Sequence, residues 1–205
     1  MIKIIPASPK IGVEIQGVNI KAMDEATFRR VYQAFLDHIV IVIRGQELIE
    51  EDFIAFSARF GELKPHMTKK AHHPRFANLM LMDNRIVNTR TGEDSERGRA
   101  PAVHPLTPTH PETGRKSLHF NDGQITSILG MPQAESDAII ADLAQRTASA
   151  DGDYRHPWQR GDVVIWDNRC SIHCATGDYP ANERRTNWRS TIMDAGWQQQ
   201  QVKTA

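Results

Sequence analysis

Apolar residues recur between positions 25 and 38 at Phe28, Val31, Tyr32, Phe35 and Leu36, with Ile39 just beyond. Steps of three and four place such residues on one face of a helix, so this stretch predicts an amphipathic helix. Asp24 stands where the first free N–H groups need a side-chain acceptor. Residues 49–60 repeat the pattern more loosely at Phe53, Ile54, Phe56 and Phe60, and Gly61 follows in the C-cap role. A third helix is expected over 134–147, after Pro132. At 161–167 the pattern changes to a turn and then the unbroken run Val163, Val164, Ile165 and Trp166, which reads as a buried strand. Residues 185–193 read as a second strand, reached through the polar loop 177–183. Alternate side chains of a strand share a face, so Arg185, Asn187 and Arg189 belong together. Their spacing puts two guanidinium groups about 7 Å apart in one cavity. Two stacked cations facing inward need anions, because burying an uncompensated charge is costly.

Most of the rest predicts short strands with turns between them, and residues 90–101, charged and glycine-bearing, a mobile loop. No repeat or linker interrupts the chain, so a single domain over 1–205 is expected. The 25 Lys and Arg balance the 25 Asp and Glu, which removes any global field favouring nucleic acid or a membrane surface. With 40% hydrophobic and 24% charged residues the composition is that of a soluble globular protein. No signal peptide and no membrane-length apolar run is present, and a cytoplasmic location is expected.

The chemistry concentrates near the C-terminus. Trp166-Asp167-Asn168-Arg169 leads to His173, and Arg184, Arg185 and Arg189 follow. A neutral imidazole is a good ligand for a redox metal. A guanidinium grips a carboxylate through two parallel hydrogen bonds. Together they suggest a metal centre that holds an organic acid. Cys170 and Cys174 flank His173, but two thiols and one imidazole within five residues cannot easily surround a zinc ion. Free thiols in a reducing cytosol are the reading adopted.

These residues resemble the C-terminal motif of the taurine/2,4-dichlorophenoxyacetate dioxygenase family. Other stretches are similar in the same order. Residues 12–19 resemble the family's opening strand pair, 40–46 a strand ending in Arg-Gly-Gln, and 53–63 a helix ending in Phe-Gly-Glu-Leu. Residues 103–118 resemble a block containing His-Pro and His-Pro-Glu-Thr-Gly. The resemblance covers nearly the whole chain. It implies a mainly β fold with flanking helices, a double-stranded β-helix (jelly roll) that is incomplete in these residues. It further implies an iron(II)- and 2-oxoglutarate-dependent dioxygenase, with 2-oxoglutarate as co-substrate and release of succinate and CO2. The partner would be a small, anionic organic substrate, with neither nucleic acid nor membrane involved, and the protein a homo-oligomer.

Carried over residue by residue, the resemblance makes His173 the distant histidine ligand of the metal and so a catalytic residue. Arg185 falls where the family binds the distal carboxylate of 2-oxoglutarate. Arg189 faces either the anionic part of the substrate or the co-substrate. His66 falls where the taurine enzyme has a substrate-contacting histidine. The family's other two ligands come from a His-x-Asp or His-x-Glu pair. Among the nine histidines only His110, with Glu112 two residues on, has that spacing, and it lies in the His-Pro-Glu-Thr-Gly block, a structural turn in the family. The shortfall falls between Asp83 and Thr91, where residues 78–85 and 87–93 resemble segments that stand further apart in the family. A segment missing there is expected. A true deletion would instead leave a catalytically inactive relative acting as an anion-binding module.

Overall fold

The computed structural model of the protein describes residues 2–65, 72–83, 103–121, 123–148, 153–177, 180 and 182–193. They are mostly sheet and connecting turns, with three α-helices, and they group into two compact units. The first takes the described residues of 1–47 and 104–173, the second those of 48–103 and 174–199.

The first unit is built on a four-stranded sheet of β1 (Lys3–Pro6), β2 (Val13–Gln16), β3 (Val40–Ile43) and the strand Val163–Trp166, called β6 for its place in the chain. β1 pairs antiparallel with β2, β2 parallel with β3, and β3 antiparallel with β6. A parallel pair needs a crossover, and α1 (Glu25–His38) supplies it. Its apolar stripe buries Phe28, Val31, Ala34 and Phe35, and Asp24 caps it by accepting from the Thr27 N–H at 2.7 Å. β3 is buried along its whole length, as its unbroken Val-Ile-Val-Ile run requires. The core is this strand together with Val13, Ile15 and the inner face of α1. The unit's second helix, α3 (Gln133–Ala148), matches the expected 134–147 to within a residue at either end.

α1 ends on Ile39, a β-branched residue at φ 71°. That conformation is strained for any residue with a Cβ. It is held from two sides: the Ile39 N–H donates to Phe35 O, and Ile39 O accepts from the Asp167 N–H at 3.0 Å.

Gly161 turns the chain into β6 at φ +81°, and its carbonyl accepts from the Gln46 N–H at 2.7 Å. A Cβ there would stand 2.9 Å from Gln46 O and 3.0 Å from Gln46 N, both backbone atoms that cannot step aside. Gly161→Ala should therefore destabilise the protein by about 1–3 kcal/mol from backbone strain alone, read as a lower urea midpoint.

The second unit contains α2 (Glu50–Ala58) and two small sheets. β4 (Leu63–Lys64) pairs with β8 (Thr191–Ile192), and β5 (Met80–Asp83) pairs with β7 (Thr186–Arg189). The expected single strand over 185–193 is thus divided. Ser190 falls out of the ladder and its hydroxyl donates to Asn78 O at 3.1 Å, so the halves on either side of it serve different partners. Phe53 of α2 meets Trp188 of β7 edge to face, with ring centroids 5.9 Å apart.

Candidate functional site

The turn after β6 is organised by one carboxylate. Asp167 is 5% exposed. Arg169 reaches it through Nε at 2.8 Å and Nη2 at 2.6 Å, and His110 Nε2 lies 3.0 Å from Oδ2. Asp167 O accepts from the Ser171 hydroxyl at 2.6 Å. Arg169 Nη1 continues to Glu112 Oε1 at 2.9 Å, and the Tyr32 hydroxyl donates to Glu112 Oε2 at 2.7 Å. Burial pushes the Asp167 carboxyl upward, but the hydrogen bonds from Arg169 and His110 outweigh it and hold the group below its ordinary value. The sign for stability follows. A depressed folded-state pKa contributes stability above the unfolded value of about 3.9 and loses it as pH falls through the folded value. Native Asp167 should make the urea midpoint fall as the pH drops below about 4, and Asp167→Asn should flatten that acid limb.

His110 cannot supply a metal ligand in this arrangement. Its Nδ1 accepts from the N–H groups of Glu112 at 3.2 Å and Thr113 at 3.1 Å. That fixes the proton on Nε2, which donates to Asp167. Both nitrogens are committed, and Glu112 is occupied with Arg169 and Tyr32. The His-x-Glu spacing here belongs to a structural turn.

His173 follows that turn at the end of the first unit, exposed, with its ring 4.8 Å from the Trp166 ring centroid. Trp166 is half-buried, less enclosed than the sequence suggests, and its Nε1 donates to Asn168 Oδ1 at 2.8 Å. Cys170 and Cys174 are free thiols, and burial pushes Cys170 up to about 11, so it stays protonated at neutral pH.

The arginines lie in the second unit. Arg184, which the sequence groups with the others, is taken by Asp83: its Nη2 and Nε approach Oδ2 at 2.7 and 2.9 Å, and Asp83 is 7% exposed. Arg185 and Arg189 are half-buried. Arg185 precedes β7 by one residue; Arg189 closes it opposite Met80. With the Asn187 amide turned so that its oxygen faces Arg185, it accepts from Arg185 Nε at 3.2 Å, as the alternating pattern suggests. His66 and the expected junction between Asp83 and Thr91 lie outside the described residues, as does the loop 90–101.

A second buried carboxylate carried no signal in the sequence reading. The Asp162 side chain is fully buried, and its Oδ2 accepts from Arg44 Nη1 at 2.8 Å, His156 Nε2 at 2.9 Å and the Gln159 N–H at 2.8 Å. Arg44 also holds Glu14 at 2.7 Å, and the Tyr154 hydroxyl meets His156 Nδ1 at 2.8 Å. This cluster closes one end of the sheet around Arg44. Only its Arg-Gly-Gln segment was visible beforehand, as a strand end.

Among the described residues no three of His, Cys, Asp and Glu gather as a metal-binding group. Iron(II) of the facial two-histidine, one-carboxylate type needs three such donors together. The described residues therefore do not complete such a site.

The turn that leads to His173 closes the first unit, and the second unit carries Arg185 and Arg189 at the two ends of one short segment. The chain belongs to the taurine catabolism dioxygenase TauD, TfdA family, whose model matches residues 3–100 and 72–191. An alkylsulfatase of Acinetobacter baylyi is 39% identical over 257 aligned positions, covering 85% of this chain and 80% of that protein. Those positions outnumber the 205 residues present, so part of that relative has no counterpart within the matched span. An (S)-phenoxypropionate/alpha-ketoglutarate-dioxygenase of Sphingobium herbicidovorans is 39% identical over 166 residues, covering 77% of this chain and 55% of that protein. The chain spans about half the length of several curated relatives it matches. The crystal structure of a taurine dioxygenase from Burkholderia xenovorans superposes with a TM-score of 0.79 at 22% identity, covering 93% of this chain and 89% of that one. That likeness concerns the fold.

Proposed function

We propose that this chain is the greater part of an iron(II)- and 2-oxoglutarate-dependent dioxygenase that oxidises a small anionic organic substrate. The observation that carries the reading is the family match running through both the His173 turn and the segment that carries Arg185 and Arg189. Relatives named for phenoxypropionate and alkyl sulfate turnover support an anionic substrate. The complete fold is a double-stranded β-helix, and the protein works in the cytoplasm as a homo-oligomer. His173 is one ligand of the metal. The other two come from a segment absent between Asp83 and Thr91; the greater length of the alkylsulfatase alignment supports an absent segment without locating it. Iron supplies the oxidative chemistry when it is bound. Arg185 holds the distal carboxylate of 2-oxoglutarate by paired charge-assisted hydrogen bonds, and Arg189 faces the anionic end of the substrate, joined there by His66.

The test is the intact protein from its source. A mass well above 23.2 kDa, with succinate formed only when iron(II), 2-oxoglutarate and an anionic substrate are supplied, is the expected result. A mass of 23.2 kDa with no succinate would overturn the reading and leave an anion-binding relative. A protein of only these 205 residues should bind iron(II) weakly or not at all in calorimetry.

A further inference from the structure

The first unit holds a cavity that the proposed chemistry does not use. Its volume is about 410 Å³, within the ~300–1,000 Å³ range of small-molecule sites. Phe35, Leu36 and Ile39 form one wall at the end of α1, and Leu118, Phe120 and Ile172 line other parts, interspersed with Thr113, Ser117, Thr147 and Ser171. Arg115 and Lys116 also line it, and both are exposed. Arg115 is anchored across the cavity, its Nη2 donating to Leu36 O. Among the described residues neither cation has a carboxylate partner. Asp167, which also reaches the cavity wall, is already neutralised by Arg169 and bonded to His110. Cys170, a further lining group, stays an uncharged thiol. The cavity thus combines six apolar side chains with two cations that, among the described residues, have no carboxylate partner.

We propose that this cavity binds an amphipathic monoanion, a medium-chain or arylalkyl carboxylate whose apolar body enters the cavity and whose carboxylate meets Arg115 and Lys116. Each half of the ligand answers one half of the lining. Apolar surface removed from water drives entry, and charge-assisted hydrogen bonds to a guanidinium and an ammonium select the anion. The strained Ile39 fits this role, because its conformation keeps a β-branched side chain on the cavity wall at the helix end. None of the residues that line the cavity is assigned to the 2-oxoglutarate reading, and Arg185 and Arg189 belong to the other unit.

Octanoate and the uncharged 1-octanol, titrated into the full chain by calorimetry, separate the two contributions. Octanoate should bind at least tenfold more tightly than 1-octanol. Lys116→Gln should reduce that preference, and Lys116→Gln combined with Arg115→Gln should erase it while leaving 1-octanol binding as it was. Leu118→Glu should weaken both ligands. Both cations are exposed, so circular dichroism should show each variant folded. Equal binding of the two ligands would overturn the proposal, as would a preference that survives in the double variant. Loss of octanoate binding in Arg185→Ala, with Lys116→Gln unaffected, would place the anion at the co-substrate arginine and sink this site.

Discussion

His173→Ala in the complete enzyme should fold normally and form no 2-oxoglutarate-dependent succinate. The residue is exposed and follows the turn, so its removal costs little packing. Asp167, Arg169 and His110 fix the turn without it. If His173 is one of three protein ligands, two remaining donors hold iron(II) too loosely to support turnover. Thermal unfolding should stay within a degree or two of the parent, and iron(II) affinity should collapse. Retained succinate formation, at any iron concentration that saturates the parent, would remove His173 from the metal site. So would an unchanged metal affinity.

Arg185→Ala should raise the 2-oxoglutarate requirement by well over tenfold. The guanidinium is half-buried, so its pair with a carboxylate is partly shielded from water. Leaving that carboxylate unpaired costs about 2–5 kcal/mol. Arg185→Lys should recover only part of the loss, because an ammonium cannot reproduce two parallel bonds. Arg184→Ala gives the contrast. Its partner is Asp83, so it should lower stability with little change in 2-oxoglutarate affinity. Calorimetric binding of 2-oxoglutarate that is the same in Arg185→Ala and the parent would exclude the role.

These two arginines mark how far the sequence could be read. Adjacent in the chain, they look alike as letters. What separates them is Asp83, a hundred residues away, and no local pattern predicts that contact. Helix α1 was legible because its signals are local: its apolar stripe and the Asp24 cap lie within a few neighbouring residues, whereas β3 was legible through the family resemblance. The strand over 185–193 was drawn too long because its division at Ser190 reflects which strands lie beside each half. The role of His110 was legible through family resemblance alone. Its chemical reason, two committed ring nitrogens, needs Asp167 from the far side of the chain. Of the Asp162 cluster only the strand end at Arg44 was legible, for Glu14, Arg44 and His156 meet only once the sheet has formed.

The four-stranded sheet also bears on how the protein must be handled. Its two outer strands are unlike. β1 carries Lys3 and Pro6, a charge and a missing N–H that discourage a neighbour from pairing. β6 is Val-Val-Ile-Trp, with no charge and no proline, and β3 is its one neighbour among the described strands. An apolar strand at that position is a template for whatever extended chain reaches it first. In a concentrated solution of these 205 residues it would be another copy, so purification should be kept dilute and brief, with light scattering followed from the first column.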